Sequence, residues 1–457
     1  MDVMPEIYGD RIAAQCAGEE FALAVVTATK PDFYKQAPVV AAAAARDIPC
    51  FVIHTGQHYD DVLGHGLEEY GLEKHIGVDL GVRGDLTEKT AQMHRAVAEL
   101  VDELDQYDTT VLPIVHGDTH AAGIFPQAWL FATNQRVAHN EAGLRGMAPE
   151  YDAAGDPESF VTAQWEGDWG IERSEPFPEQ YDTFVGSAAS LYQFAPVELN
   201  RQHLVDEGYP GTVDGQERIP VVGNSVVDAI EMRGEVELAE SVFDRYPVLE
   251  TRNRWIRVDI HRRANLRRDR FTALVEGVVG LVERGYNVVF IEMTATGAAL
   301  ERYGYREQLE RLAEQHENFL FTGLWKKHAH VYEFLRSGQC FAELTDSGSM
   351  QEELNQIDET ICLTARFNTD RPETVFDANT NLLVPPISGE HVREMVEYVA
   401  ETESVRREIQ SGEKLYGQNV GDRIVEFLRD RQETGAFEWT HERLGFGDDS
   451  NQSFEYL

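Results

Sequence analysis

The stretch FALAVVTATKPDFYKQAPVV, residues 21–40, indicates the fold class because it has the pattern of a buried strand, a loop and the start of a helix. Residues 21–26 are continuously apolar, which is typical of a parallel strand covered on both faces. The loop that follows carries Lys30 and Lys35, two of only 7 lysines in the 457-residue chain. Ligands of doubly wound α/β folds bind where loops follow the carboxyl ends of strands. We therefore predict that these lysines face an anionic ligand, the alternative being surface lysines paired with nearby acids.

Short apolar runs alternate with amphipathic segments along most of the chain. The amphipathic segments, such as residues 88–104, repeat apolar side chains every three or four positions and are predicted helices. The predicted strands of a first group are residues 21–26, 50–55, 110–117, 136–143 and 182–188, and those of a second group are residues 255–261, 286–294, 318–324, 340–346 and 359–365. Alternation of this kind builds parallel sheets from βαβ units. The predicted fold class is α/β, with two Rossmann-like domains.

The break between the two groups of strands sets the predicted domain boundaries. Residues 1–220 are predicted to form an N-terminal domain and residues 221–405 a C-terminal domain. Residues 406–432 are predicted to be helical and to pack back on the N-terminal domain. Residues 433–457 form a polar, acidic tail, for which we predict loose order.

The chain is strongly acidic, with 80 Asp and Glu residues against 40 Lys and Arg residues and a formal net charge of −40. A field of this sign repels nucleic acid and anionic membranes, so we expect neither as a partner. The acidic residues are spread along the chain, and lysine is almost absent. This pattern predicts a halophilic protein, in which high salt screens the self-repulsion; an acidic mesophilic protein is the alternative.

Three features predict a cytoplasmic location. No apolar run approaches the roughly 20 residues that a membrane helix needs. The N-terminus MDVMPEIYGDRIAAQ lacks a basic-then-apolar signal pattern. Four widely spaced cysteines form no CxxC pair, which indicates a reducing compartment with neither a disulfide framework nor a zinc ribbon.

Two predicted strands of the first group end in carboxylates. HGDTH (116–120) places Asp118 after one strand, and HNEAGLR (139–145) places Glu141 after the next. Two acids at successive strand ends, opposite a lysine loop, are suited to acid–base catalysis. The alternatives are helix N-capping by Asp118 and a metal site at the two histidines of HGDTH. We predict no metal, because the sequence offers no evident third ligand.

The second group of strands carries residues suited to phosphate. HRRANLRR (261–268) puts a histidine and several arginines at a strand end, which is typical of an anion site. In LTDSGSMQEE (344–353), small residues precede a helix, so backbone N–H groups there can bind a phosphate. Glu353, in the first turns of that helix, is expected to accept two sugar hydroxyls. We therefore predict a nucleotide ligand held between the two domains.

Together these motifs resemble the UDP-N-acetylglucosamine 2-epimerase family over about residues 25–430. The motifs that recur in family order are TKPDFYKQAPVV (29–40), TGQHYDDVL (55–63), VHGDT (115–119), EAGLR (141–145), PFPEQ (176–180), VGNSVVDAI (222–230), HRR (261–263), LTDSGSMQEE (344–353) and DRPETV (370–375). The resemblance implies a glycosyltransferase-B-like arrangement of the two domains, a homodimer, and a UDP-sugar bound in the cleft.

The resemblance also implies an isomerase that needs neither metal nor nicotinamide. UDP is eliminated from C1 as the C2 proton leaves, and UDP adds back after a proton returns to the opposite face. On this basis the chain interconverts UDP-GlcNAc and UDP-ManNAc and supplies sugar for cell-surface or glycoprotein glycans. Such chemistry needs carboxylates close to a weakly acidic C–H group and cations at the leaving diphosphate.

Position by position, the resemblance assigns roles to residues of both domains. The catalytic residues that it implies are Asp118, Glu141, Glu179 and His261. The substrate-binding residues that it implies are Lys30, Lys35, Arg145, Arg262, Ser347, Gly348, Ser349, Glu353 and Arg371. The family has arginine where Lys30 stands and glycine where Ser349 stands.

Several positions depart from the family pattern. Ala264 stands where the family has a glutamate, and Asp182 and Thr183 replace an asparagine–arginine pair. An acidic insertion at about residues 147–172 separates implied catalytic acids, and we expect it to cover the sugar end of the site. Because of these departures, the alternatives are a different UDP-sugar, hydrolytic release of ManNAc and UDP, a glycosyltransferase of the same fold, and a non-catalytic UDP-sugar-binding protein.

Overall fold

A computed structural model describes residues 4–56, 70–150, 155–213, 215–234, 238–325 and 327–434. The TGQHYDDVL motif after Gly56 and the predicted tail from residue 435 lie outside the described residues. The strands of the N-terminal half are β1 (Glu6–Ile7), β2 (Phe21–Thr27), β3 (Cys50–His54), β4 (Ile76–Asp79), β5 (Thr110–His116), β6 (Val137–Asn140), β7 (Met147–Pro149), β8 (Trp169–Ile171), β9 (Ser190–Phe194), β10 (Thr212–Val213) and β11 (Gln216–Glu217).

Seven of these strands form one twisted sheet in the order β1-β4-β3-β2-β5-β6-β9. Neighbours in this sheet are parallel, except that β1 is antiparallel to β4. The helices of this half are α1 (Gly9–Cys16), α2 (Lys30–Ala45), α3 (Leu86–Leu104), α4 (His120–Thr133), α5 (Pro157–Glu166), α6 (Glu179–Ala188) and α7 (Glu198–Asp206), and a 3₁₀ turn covers Glu73–His75.

All seven residues of β2 are buried because helices cover both faces of the sheet. Leu23 and Val25 pack in the cluster that contains α2. Ala24 and Val26 point the other way, into the cluster that contains α1, α3 and α4. This double covering explains why the strand is a continuous apolar run rather than an alternating one.

The C-terminal half forms a six-stranded sheet in which every neighbouring pair is parallel. Its strands are β12 (Trp255–Asp259), β13 (Asn287–Glu292), β14 (Phe319–Gly323), β15 (Cys340–Thr345), β16 (Ile361–Thr364) and β17 (Asn381–Leu383), in the order β14-β13-β12-β15-β16-β17. Its helices are α8 (Val226–Gly234), α9 (Val242–Arg245), α10 (Val248–Thr251), α11 (Arg268–Glu283), α12 (Thr294–Tyr303), α13 (Arg306–Gln315), α14 (His328–Arg336), α15 (Gly348–Asn355), α16 (Glu373–Phe376), α17 (Gly389–Glu401), α18 (Glu403–Gln410) and α19 (Val420–Glu433). The predicted α/β fold class, with two Rossmann-like sheets, is confirmed.

One predicted strand, residues 182–188, is wrong, because this segment belongs to helix α6. Its Thr, Phe and Val residues resemble a strand, but the helix packs closely across α4. A Cβ atom at Gly186 would lie only 2.4 Å from the carbonyl oxygen of Ala122, so glycine permits that crossing. The strand at this edge of the sheet is β9. The short strands β1, β4 and β17 were also not predicted, since runs of two to four residues carry little periodicity.

The acidic insertion packs against the C-terminal domain. Helix α5 contributes Phe160 and Val161 to the core cluster of that domain. The side-chain amide of Gln164 bonds both backbone groups of Leu383 in β17, accepting at 2.6 Å and donating at 3.1 Å. Met147 and Thr369 exchange two backbone hydrogen bonds, of 2.8 and 2.9 Å, between the domains. The described part of the insertion therefore joins the two domains and covers an edge strand, and it does not line the cavity described below.

The last helix, α19, returns to the N-terminal domain and packs along α2. A Cβ atom at Gly421 would lie 2.6 Å from the backbone of Pro38, so the two helices approach closely. Arg46 at the end of α2 pairs with Asp422 (2.5 Å) and Glu426 (2.8 Å) of α19. Within the described residues, every helix is too short or too polar to cross a membrane.

Candidate active site

The carboxyl ends of strands from both sheets meet at a cavity of about 350 Å³. The N-terminal domain lines it with residues that follow β2, β5 and β6 and with the first turn of α6. The C-terminal domain lines it with residues that follow β12 and β16 and with the start of α15. The sequence-predicted residues on the wall are Lys35, Asp118, Glu141, Glu179, His261, Arg262, Ser349 and Arg371. The cavity thus joins the acids expected from one domain with cations from the other.

Glu141 lies directly after β6, fully buried, with a φ angle of 62° that is unusual outside glycine. Its carboxylate contacts Lys35 Nζ (2.5 Å), Arg371 NH2 (2.6 Å), Asn224 Nδ2 (3.0 Å) and His116 Nε2 (3.0 Å). Burial alone would raise the pKa of Glu141, but Lys35, His116 and Arg371 outweigh burial and hold the pKa well below its usual range. Glu141 is therefore a fixed negative charge near neutral pH.

Lys35 links Glu141 to Glu352, which lies in α15 of the opposite domain. Burial acts to lower the pKa of Lys35, but the two carboxylates outweigh burial and raise it. Glu352 also accepts hydrogen bonds from Asn224 Nδ2 (3.0 Å) and Arg371 Nε (2.8 Å). The two domains are therefore joined by buried ion pairs. Removal of one partner from such a pair typically costs about 3–5 kcal/mol, because a charge is left buried without compensation.

His116, the last residue of β5, adds a further cation beside Glu141. Its Nδ1 lies 2.9 Å from Oδ1 of Asp32 and its Nε2 lies 3.0 Å from Glu141. The other oxygen of Asp32 accepts the backbone N–H groups of Ala28 (3.0 Å) and Thr29 (2.7 Å), which fixes the start of α2. Burial acts to lower the pKa of His116, but Glu141 and Asp32 raise it to about 9. The imidazole is therefore protonated near neutral pH.

Asp118 lies two residues beyond His116 in a different electrostatic environment. Its nearest cation is NH1 of Arg371, at 3.4 Å from Oδ2. Burial is the largest influence and raises the pKa of Asp118; Asp370 and Glu179 also raise it, and Arg371 and Arg262 lower it, with a result of about 7. A carboxyl group with such a pKa can both take and give a proton near neutral pH.

Glu179, the first residue of α6, faces the cavity from the side of the N-terminal domain. Its Oε1 accepts a hydrogen bond of 2.5 Å from NH1 of Arg262, which belongs to the opposite domain. Its Oε2 is buried and has no hydrogen-bond partner among the described residues. Arg262 therefore anchors one oxygen of Glu179 at the cleft, and the other oxygen has an unused capacity to accept a hydrogen bond.

His261 and Arg262 lie in a loop that is held by a single carboxylate. Asp346 accepts the backbone N–H groups of both residues at 3.0 Å and the side-chain amide of Asn265 at 3.0 Å. The Nδ1 atom of His261 lies 3.2 Å from Asp259. Burial acts to lower the pKa of His261, but Asp346 and Asp259 outweigh burial and raise it. The loop therefore presents positive charge to the cavity.

The start of α15 completes the cationic side of the cavity. Ser347 is the N-cap, Gly348 begins the helix, and Ser349 lies on the cavity wall. A Cβ atom at Gly348 would lie 3.0 Å from NH1 of Arg371 and 3.5 Å from NH2 of Arg262. A helix N-terminus with two guanidinium groups above it is a favourable place for a phosphate.

Arg145, which the resemblance implies as a substrate-binding residue, is not among the residues that line the cavity. Its Nε and NH2 donate to the two carboxylate oxygens of Glu207 at 2.7 and 2.6 Å, and its NH1 donates to Thr183 at 3.1 Å. The guanidinium also stacks 4.1 Å from the ring centre of Phe184. Arg145 therefore holds α6 and α7 together beneath the site.

Lys30 and Glu353 lie beside the cavity rather than on its wall. Lys30 begins α2, and its charge acts on Asp259 and His328 of the C-terminal domain. The buried carboxylate of Glu353 contacts Arg233 NH1 at 3.0 Å and accepts a hydrogen bond of 3.1 Å from Tyr34. Each of its two oxygens therefore accepts a hydrogen bond from a protein group.

Some residues of the cavity wall and of the ion-pair network were given no role from the sequence, and His116 was considered only as a metal ligand. The residues without a role were Asp32, Lys89, Asn224, Glu352 and Asp370. Some of them stand inside quoted motifs, so position in the motif was an available signal. Asn224 lies 83 residues from Glu141 and 128 residues from Glu352 along the chain, and only the folded chain shows these two contacts.

Two alternatives from the sequence are not supported. The N-cap of α4 is Thr119, whose hydroxyl accepts the N–H of Ala122 at 3.2 Å, so Asp118 does not cap that helix. His120 is turned away from His116 and contacts Asp182 (3.1 Å) and Thr90 (3.0 Å). Across the described ranges, no group of three or more His, Cys, Asp or Glu residues is arranged to hold a metal ion.

Comparison with known proteins places these observations in a family. A model of the family described as UDP-N-acetylglucosamine 2-epimerase matches residues 167–429. A UDP-N-acetylglucosamine 2-epimerase from Methanocaldococcus jannaschii is 25% identical over 420 residues, with 89% of this chain and 98% of the relative covered. One from Yersinia pestis is 27% identical over 420 residues, with 90% and 98% covered.

Solved structures show the same fold. The UDP-GlcNAc 2-epimerase from Neisseria meningitidis matches with a TM-score of 0.73 at 22% identity and covers 90% of this chain and 100% of its own. A trehalose-6-phosphate synthase, OtsA, matches with a TM-score of 0.51 at 11% identity and covers 90% of this chain and 99% of its own. These likenesses confirm the predicted glycosyltransferase-B-like arrangement of two domains. Since the family model matches more than half of the chain, the chain belongs to the UDP-N-acetylglucosamine 2-epimerase family.

Proposed function

We propose that the chain is an isomerase that interconverts UDP-GlcNAc and UDP-ManNAc. UDP leaves C1 as a proton leaves C2, and UDP adds back at C1 after a proton returns to the opposite face of C2. The observation that carries this proposal is the single cavity in which Asp118 and Glu179 of one domain face His261, Arg262 and the start of α15 of the other. Related enzymes from Neisseria meningitidis and Methanocaldococcus jannaschii have been solved with UDP-GlcNAc bound, which supports the same substrate here.

Asp118 and Glu179 are the proposed proton carriers at C2. The pKa of Asp118, raised by burial to about 7, suits a group that must hold a proton at one stage and release it at another. Glu179 lies on the cavity wall, where Arg262 holds one of its oxygens and the other has no hydrogen-bond partner among the described residues. Two carboxyl groups with different surroundings supply the two faces that inversion at C2 requires.

The cations and helix N-terminus are the proposed site of the diphosphate. Arg262, His261 and Ser349 line the wall on the side of the C-terminal domain. As the C1–O bond breaks, negative charge grows on the phosphate oxygens, and fixed positive groups stabilise that charge without reorganisation. Glu141, Lys35 and Arg371 hold the two domains in the arrangement that brings these groups to the acids.

The test is NMR of UDP-GlcNAc incubated with the purified protein in D2O at molar salt. We expect deuterium at C2 of the sugar nucleotide and the appearance of UDP-ManNAc, because a carrier acid exchanges its proton with solvent. Absence of both would contradict the proposal. Free ManNAc with UDP would instead identify a hydrolysing enzyme, and activity only on another UDP-sugar would change the substrate.

A homodimer is part of the proposal. Phe131, on α4, is 72% exposed and packs beside the half-buried ring of His94, and this exposed aromatic side chain offers a surface for a second copy of the chain. Light scattering at molar salt measures the mass directly. A monomeric mass for the wild type would contradict this part of the proposal.

We also propose that the protein acts in the cytoplasm at high salt, in the synthesis of cell-surface or glycoprotein glycans. All four cysteines are buried and unpaired, which suits a reducing compartment. The net charge of −40 on 457 residues favours folding where salt screens repulsion. Thermal unfolding that moves to lower temperature as KCl is withdrawn would support this, and a melting temperature independent of salt would contradict it.

A further inference from the structure

Two carboxyl groups from different domains meet at one guanidinium nitrogen in the cleft. NH1 of Arg371 lies 3.4 Å from Oδ2 of Asp118 and 2.7 Å from Oδ2 of Asp370. The carboxyl groups of Asp118 and Asp370 therefore share one guanidinium nitrogen, and the charge of Asp370 acts to raise the pKa of Asp118. Both residues are at least nine-tenths buried, with exposures of 9% and 0%. Two buried carboxyl groups that share one cation repel each other when both are ionised, and a proton on one of them removes that repulsion.

Asp370 is the partner that stays ionised. Its Oδ1 accepts a hydrogen bond of 3.0 Å from NH1 of Arg366, and the Nε of Arg366 is itself anchored to the backbone oxygen of Asp346 at 2.7 Å. Burial acts to raise the pKa of Asp370, but Arg371, Arg366 and Arg262 outweigh burial and hold the pKa below its usual range. The proton of the pair therefore belongs to Asp118.

One oxygen of Asp370 is available to accept that proton's hydrogen bond. The contact between Oδ2 of Asp370 and Arg371 is close, but it is not aligned as a hydrogen bond, and Oδ2 has no other partner among the described residues. Buried polar atoms are almost always hydrogen-bonded, so Oδ2 of Asp370 is expected to accept a hydrogen bond from some donor. A protonated Asp118 is that donor.

We propose that Asp370 is a positioning residue that keeps a proton on Asp118 when the two domains are together. The inference deepens the proposed function, because Asp118 is there a carrier of the C2 proton. Asp370 comes from the C-terminal domain and Asp118 from the N-terminal domain, so the pair exists only when the cleft is assembled. Assembly of the cleft therefore protonates Asp118, which would be ionised in a separated N-terminal domain.

Several charged groups act on Asp118, and the test must distinguish the effect of Asp370 from the effects of the others. Asp118 faces Arg371, Arg262, Asp370 and Glu179, and of these only Asp370 and Glu179 favour its protonated form. Loss of the Asp370 charge should therefore lower the pKa of Asp118, by about 1 pH unit as is typical for removal of a nearby like charge. A residue with a purely structural role would not move this midpoint.

The experiment is infrared titration of the full chain at molar salt, using the protonated-carboxyl band that Asp118→Asn removes. In the wild type this band should titrate near pH 7, and in Asp370→Asn its midpoint should fall by about 1 pH unit. Asp370→Glu should restore the wild-type midpoint because it restores the charge. An unchanged midpoint in Asp370→Asn overturns the inference.

A matched control and a separate activity measurement complete the design. The control is Glu373→Gln, which removes a buried carboxyl group three residues after Asp370. Glu373 accepts a hydrogen bond of 2.8 Å from Tyr416, and its removal should leave the infrared midpoint of Asp118 unchanged. A midpoint that moves equally in Glu373→Gln contradicts a specific role for Asp370. Deuterium uptake at C2 by the wild type, measured separately, reports on the proposed function. The infrared midpoint needs no turnover, so the inference and the function can fail independently.

Discussion

Asp118 and Glu141 follow two adjacent strands of one sheet, yet their carboxyl groups lie in opposite electrostatic surroundings. Glu141 is contacted by Lys35, His116 and Arg371 and accepts a hydrogen bond from Asn224, all at 3.0 Å or less. Asp118 has one cation at 3.4 Å. The pKa of Glu141 is accordingly held well below its usual range, whereas burial raises the pKa of Asp118 to about 7.

This difference in pKa distinguishes a proton carrier from a residue that organises the cleft, although both residues match the family's catalytic acids. A carboxylate surrounded by cations cannot take up a proton near neutral pH, but it can hold those cations, and with them the opposite domain, in place. A carboxyl group with a pKa near the working pH can carry a proton. This contrast supports the proposal that Asp118 transfers a proton and that Glu141 organises the cleft.

The largest expected effect is on turnover in Asp118→Asn. The amide keeps the shape of the side chain and removes the proton carrier, so turnover should fall by about 10²–10⁴-fold. UDP binding should stay close to wild type, because the proposed diphosphate site lies on the other domain. Steady-state kinetics and calorimetric titration with UDP measure the two quantities. A parallel loss of UDP affinity would show that Asp118 binds substrate rather than carries a proton.

The next effect is on stability in Glu141→Gln. Lys35, His116 and Arg371 lose a shared counter-ion, and the free energy of unfolding should fall by about 3–5 kcal/mol. Asp118→Asn is the matched control at pH 8, where wild-type Asp118 is ionised while buried. Because the folded-state pKa of Asp118 exceeds its unfolded value, ionisation there costs stability, and the amide should not destabilise. Denaturant titration of Glu141→Gln and Asp118→Asn at pH 8 measures the two changes in the free energy of unfolding. Equal destabilisation would contradict the different roles proposed for the two carboxyl groups.

A smaller effect concerns the pH dependence contributed by His116. Its pKa is raised to about 9 in the folded chain, against about 6.5 when unfolded. The contribution of His116 to stability is therefore complete below about pH 6.5 and is lost as the pH rises through about 9, an effect of about 3 kcal/mol. In His116→Gln this part of the pH dependence should vanish.

The control for that measurement is His391→Gln. Burial lowers the pKa of His391, so its removal should leave the loss of stability between pH 6.5 and pH 9 as in the wild type. The measurement is the free energy of unfolding at the two pH values for all three proteins. A wild type that is equally stable at both would show that His116 is not held as a cation.

Much of this site is predictable from the sequence because parallel strands bring their carboxyl ends to one edge. That rule, with the motifs, leads to Asp118, Glu141, Glu179 and His261, all of which line the cavity. It does not distinguish between them, since the difference comes from partners such as Arg371, which is 230 residues from Glu141. The same limit applies to Arg145, because its partner Glu207 lies 62 residues away along the chain.

The secondary structure shows the same balance. Buried strands such as β2 and β12 are predicted well because continuous apolar runs bounded by polar loops leave few alternatives. Residues 182–188 were misassigned because a close helix crossing at Gly186 decides their conformation, and no local pattern reports a distant backbone. The insertion was expected to cover the sugar end, and in its described part Phe160 and Val161 enter the core of the other domain.

The most direct test of the central claim is the pH dependence of deuterium uptake at C2 of UDP-GlcNAc, followed by NMR in the wild type and in Asp118→Asn. We expect the wild-type rate of deuterium uptake to change with pH around pH 7, a limb of the pH–rate profile set by the raised pKa of Asp118. The Asp118→Asn variant should be much slower, and its residual rate should lack that limb. A limb near pH 7 that persists in Asp118→Asn would contradict the account, because the proton carrier would then be another group.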